Sequence, residues 1–133
     1  SSTTGVGRQS TIVDNTSEKY QKIILYVKIT VGTTPTANRT IRLYLIRDDN
    51  NGTNHRSDGA GASDAGLTVL NARPIGSILV PVNTSNVAYY AEFEIYDPGP
   101  KWGVAIVHDT GVNLHATAGN HWIRYVGANP EVQ

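Results

Sequence analysis

Apolar and polar residues alternate from Gln21 to Val31, with Ile23, Leu25, Val27, Ile29 and Val31 on one side and Lys22, Ile24, Tyr26, Lys28 and Thr30 on the other. A period of two predicts a β-strand. Helical winding would spread those five apolar residues around the circumference, and β-branched side chains suit a pleated surface. Burying the apolar face stabilises the fold by ~1.5–3 kcal/mol per large side chain before entropy is counted. Gly32 to Asn38, with Pro35, breaks the pattern. It resumes from Thr40 to Arg47 with Ile41, Leu43 and Leu45 inward and Arg42, Tyr44 and Ile46 outward. These two segments are expected to pair as an antiparallel hairpin.

Further strands are expected from Pro74 to Val80, from Asn86 to Ile95, from Trp102 to His108 and from His121 to Val126. In the second of these, Val87, Tyr89, Ala91, Phe93 and Ile95 face opposite to Ala88, Tyr90, Glu92 and Glu94. Gln9 to Asp14 reads as a first edge strand, closed by a turn at Asn15-Thr16-Ser17-Glu18-Lys19. No amphipathic helix of ten residues is present. The fold class expected is therefore all-β: an antiparallel two-sheet sandwich, jelly-roll-like by first choice, with an immunoglobulin-like strand order as the alternative.

Two segments depart from this rhythm. Residues 1–8 are small and polar and include two glycines, so they read as a flexible N-terminal arm preceding a single domain over residues 9–133. Asp48 to Ala72 is a polar stretch too long for a hairpin loop, a length that points to function or mobility. Leu67, Val69 and Leu70 are expected to anchor its far end.

Composition narrows the function classes. The chain has 133 residues, enough for one domain, and its eleven Lys and Arg balance eleven Asp and Glu. No global field draws it to nucleic acid or to an anionic membrane. With no cysteine there are no disulfides, thiolate metal sites or cysteine nucleophiles. The longest mainly apolar stretch, Ile23 to Val31, is far shorter than the ~20 residues of a spanning helix, and the first residues lack the basic and apolar regions of a signal peptide.

Candidate chemistry is sparse. Asp109-Thr110-Gly111 matches the tripeptide of retroviral-type aspartic proteases. However, His108 interrupts its apolar lead-in and 22 residues are too few for the strands that should follow, so a hairpin turn with Gly111 at positive φ is the favoured reading. Asp48, Asn50 and Gly52 resemble part of a calcium loop, but the closing glutamate is missing, which favours a solvated loop. His55, His108, His115 and His121 lack the spacing of a zinc motif. Glu92 and Glu94 share one side of a strand, where solvation explains them better than glycosidase chemistry. Trp102, Trp122, Tyr89, Tyr90, Tyr96 and Tyr125 could form a sugar-stacking platform or a protein anchor, although core packing is the preferred account of both tryptophans. No catalytic residue, metal or cofactor is expected.

Gly7-Arg8-Gln9-Ser10, Ile75-Gly76-Ser77-Ile78-Leu79-Val80, Lys101-Trp102-Gly103-Val104-Ala105-Ile106-Val107 and the tail Asn129-Pro130-Glu131-Val132-Gln133 resemble segments of small β-sandwich structural proteins of tailed bacteriophages. The resemblance implies a virion component: a decoration or cement protein on the capsid surface whose partners are the major capsid protein or neighbouring virion proteins. It also suggests a homo-oligomer, with a trimer as one form, and no nucleic-acid or membrane partner. The contact candidates are Gly5, Val6, Gly7 and Arg8 in the arm and Asp48, Asp49, Asn50, His55, Arg56 and Asp58 in the long loop. A tail or head-to-tail connector component and a carbohydrate-binding module are the rival expectations.

Overall fold

In a computed structural model, which describes residues 3–49, 57–58 and 61–130, the alternating segments become strands that bury their apolar sides against one another. In chain order they are β1 (Gly7–Gln9), β2 (Val13–Asp14), β3 (Lys22–Thr30), β4 (Arg39–Asp48), β5 (Ala65–Leu67), β6 (Arg73–Val80), β7 (Ala88–Tyr96), β8 (Lys101–His108) and β9 (Trp122–Ala128). A 3₁₀ turn over Ala118–Asn120 precedes β9. The strands form two antiparallel sheets packed as a β-sandwich. The six-stranded sheet runs β5-β1-β8-β4-β6 with β2 also on β8, and the three-stranded sheet runs β7-β3-β9.

The core lies between the sheets. Ile23, Leu25, Val27 and Ile29 of β3 meet Ile41, Leu43 and Leu45 of β4 and Trp102 and Val104 of β8, all essentially without solvent contact. The two strongest strands therefore do not form the expected hairpin, because β3 pairs with β7 and β9 while β4 pairs with β6 and β8. Each presents a continuous apolar face, and that face is best buried at the centre of a sheet looking across at the other centre. The crossover between them uses left-handed backbone at Thr34 and Asn38, with φ of 51° and 58°. It also brings Gly32 so close to the Asn113 carbonyl that a Cβ there would collide with it.

The N-terminal segment also departs from expectation. Residues 7 and 8 are not a free arm, because Gly7–Gln9 is a strand between β5 and β8, and upstream the Gly5 N–H donates to the His108 carbonyl at 2.7 Å. Main-chain pairing does not require apolar side chains. A residue without a side chain fits here, since a Cβ on Gly7 would lie 2.5 Å from the Leu67 carbonyl oxygen. The expected edge strand from Gln9 to Asp14 is split in two: Gln9 lies opposite Ala105 but Val13 lies opposite Trp102, so one extra residue is accommodated between them.

The far end of the long polar segment, residues 67–72, packs over the outer face of the six-stranded sheet. There Ile46, Ala72 and Ala105 form a second buried cluster with Ile12, Tyr44, Leu67 and Val69 packed on it. Ile46 points outward as its position in the alternation requires, yet it is covered. Leu70, expected as an anchor, is 78% exposed. The adjoining Asn71 and Ala72 amides are instead held by the Asp58 carboxylate, which turns the chain there.

Candidate functional site

The sandwich closes on one lateral side and opens on the other. On the β6–β7 side, Phe93 sits directly over Gly76, where an added Cβ would lie 2.5 Å from the ring. On the far side β9 ends the three-stranded sheet above β8, with Tyr125 set edge-on to the buried Trp102 ring at 5.0 Å. The six-stranded sheet continues beyond it through β1 and β5. The overhang leaves a cleft of about 560 Å³ whose lining includes Arg8, Ile106, Leu114, His115, Ile123 and Tyr125. The Tyr20 ring lies against Gly127 near the C-terminal end of β9. At the mouth, the Arg8 guanidinium pairs with the Asp64 carboxylate at 2.7 Å.

The histidines serve as staples. His121 donates from Nε2 to the His115 carbonyl at 2.7 Å and accepts from the Thr30 N–H at Nδ1. His115 accepts at Nδ1 from the Thr117 N–H and the Asn120 amide. These partners assign each ring its neutral Nε2–H tautomer. His108 is fully buried and donates from Nδ1 to the Thr110 hydroxyl, which itself donates to the Val112 carbonyl. His55 lies outside the described residues. Among the described residues no group of three His, Asp or Glu side chains is placed to hold a metal ion. Asp109-Thr110-Gly111 forms a turn, with Gly111 at φ 80° and the Asp109 carboxylate accepting from the Thr40 N–H, but not the expected hairpin, because β8 and β9 on either side of it belong to different sheets.

The expected contact residues are dispersed. Gly7 and Arg8 lie in β1, with Arg8 in the cleft and Gly5 tied to β8. Asp48 is buried at the end of β4, and Asp49 follows it at the surface. Asp58 is occupied in holding the covering segment, while Asn50, His55 and Arg56 lie outside the described residues. Sequence reasoning missed Gln9, whose buried side-chain amide donates to the Gly61 carbonyl at 2.7 Å and the Ser63 carbonyl at 3.0 Å. It also missed Asn15, which bridges Tyr20 and Gly99. A lone polar residue beside a strand carries no local signal that its partners lie some fifty or eighty positions away.

The outer face of the three-stranded sheet is uncovered. Cross-strand register sets Tyr90, Lys28 and Trp122 in one row, Glu92, Tyr26 and Arg124 in the next, and Glu94, Ile24 and Val126 in a third. Arg124 stacks on the Trp122 ring at 4.3 Å, and Lys22 bridges to Glu94 at 3.2 Å. The hydrogen bond and charge of Lys22, with a further hydrogen bond from Tyr96, hold the Glu94 carboxyl below its ordinary range; the same pairing raises the Lys22 ammonium. Tyr90 and Val126 remain 66% and 56% exposed. In comparisons with known proteins, no family model, curated protein or solved structure matches this chain.

Proposed function

We propose that this protein is a non-enzymatic structural component of a bacteriophage virion, a decoration or cement protein that binds and stabilises the head. One observation carries this reading. The outer face of the β7-β3-β9 sheet exposes Tyr90, Tyr96 and Val126 among an Arg–Trp stack and a Lys–Glu pair. Aromatic and arginine side chains interspersed with matched charges make up the surface from which protein interfaces are built. The segments that resemble phage structural proteins supply the particle, with the major capsid protein or its neighbours as partners. Weak contacts repeated around a symmetric shell would add up to stable attachment.

The carbohydrate-binding reading has less support from the tryptophans, because Trp102 is buried in the core and Arg124 covers one face of Trp122; Tyr125, 41% exposed in the cleft, is the ring that would serve it. Quantitative mass spectrometry of purified particles tests the proposal. A near-stoichiometric ratio to the shell protein is the expected result. A few copies per particle would move the chain to the tail or connector, and absence from particles would overturn the virion role.

A further inference from the structure

Sheet edges invite pairing with other chains, and proteins normally blunt them with short strands, proline, charge or bulges. Among the described residues, every strand edge but one carries such protection. β2 and β5 are two and three residues long, β6 carries Arg73 and Pro74 beside a register shift, and β7 exposes Glu92 and Glu94. The remaining edge, β9, runs seven residues with no proline and only one charge, Arg124. Its inward side chains Ile123 and Tyr125 pack on the core at one side and line the cleft at the other.

From this contrast we infer that the free edge of β9 and the cleft beside it form a strand-acceptor groove, which takes an extended, uncharged segment of a partner polypeptide about as long as β9. Because β9 stands over β8 through the Tyr125–Trp102 contact, the next strand position in its sheet lies over β2 beside Trp102 and over β1 beside Ala105 and Ile106. A strand there would sit ~4.8 Å from β9 and ~10 Å above β1, the spacings of paired strands and stacked sheets. Its inward side chains would cover Ile106, which is only partly buried.

The overhang selects the occupant. A second copy pairing through its own β9 would bring its β8 underneath, into the layer already filled by β1 and β5. A segment with no second layer avoids that clash. Charge points the same way: Arg8 is neutralised by Asp64, and Arg124 is stacked on Trp122 on the outer face. An apolar inward side therefore needs no charged partner, whereas a buried lysine or glutamate would go unpaired. The inference takes from the proposed function only that a partner polypeptide exists. Its test uses the isolated protein, so failure here would leave the virion role standing, and absence from particles would leave the groove standing.

The experiment tethers a probe. A seven-residue strand alternating valine and threonine is joined after Gln133 through a glycine–serine linker of about twenty residues, which spans roughly 25 Å and supplies the strand at about millimolar effective concentration. Amide hydrogen exchange is then read by NMR. Alternate β9 amides are expected to exchange at least about tenfold more slowly than in the untethered chain, while a tether with lysine in place of valine, or the Tyr125→Asp variant, restores the original rates with β3 still protected. Unchanged β9 exchange with the valine tether would overturn the inference. So would an untethered protein whose β9 is already protected in a concentration-dependent dimer, which would assign the edge to a second copy.

Discussion

On the β6–β7 side the two sheets end flush, and Phe93 fills the space over Gly76; on the β9 side one sheet outruns the other, and Tyr125 faces a cleft with 41% of its surface exposed. Both sides draw on the same period-two alternation. The difference is sheet width, since each strand buries a complete apolar face only where a strand of the opposite sheet lies above it. A side chain's contribution to stability therefore depends on what faces it across the sandwich as much as on its own size.

The largest expected effect would break this contrast directly. Phe93→Ala removes a ring from the closed side and is expected to cost about 3 kcal/mol in urea unfolding, whereas Tyr125→Ala is expected to cost about 1 kcal/mol, because the ring it deletes faces partly filled space. Equal costs would mean that the two sides are packed alike. Next comes Gln9→Ala at the open side. It takes the donor from two loop carbonyls and is expected to cost about 1–3 kcal/mol, with faster amide exchange in the segment that covers Ile46. A cost below about 0.5 kcal/mol would show that water replaces the amide.

Tyr89→Phe sharpens the comparison from the closed side. The Tyr89 hydroxyl is buried with no hydrogen-bond partner among the described residues, so its removal is expected to leave stability within about 0.5 kcal/mol or to raise it. A loss above 1 kcal/mol would reveal a bound water at that site. The smallest effect is electrostatic. Glu94 and Asp14 are held below the ordinary carboxylate range, Glu94 by Lys22 and Asp14 by hydrogen bonds from Thr16. Their contribution is complete above the unfolded carboxyl pKa of about 4 and is lost as pH falls through the folded values. Lys22 is raised, so its contribution is lost only as pH climbs through its folded value, above about 10.4. Thermal melts should show a shallow decline on both flanks that Glu94→Gln flattens. An unchanged profile in that variant would leave the pair without a role in stability.

Most of the strands were legible in the sequence because alternation is a local property. Ile23 to Val31 declares its inward face without reference to anything else, and so do Ile41 to Leu45 and Val87 to Ile95. The turn at Asp109 was legible for a similar reason, since a glycine after a short polar pair marks a left-handed corner. The candidate contacts were read less well. Arg8 and Asp58 looked alike as polar residues in polar segments, yet one lines the cleft and the other holds two backbone amides. Choosing between those roles depends on distant partners, Asp64 for the first and Asn71 with Ala72 for the second.

By itself, then, the sequence determined that this chain is all-β, which side of each long strand is buried, and that its core holds without disulfides. Tertiary structure alone decided that β3 and β4 separate into different sheets, that Gly7–Gln9 is drawn into a sheet, and that one sheet overhangs the other. The physical reason is range. Side-chain alternation is set by residues two apart, whereas strand order and sheet width follow from which faces can be buried together across the whole chain.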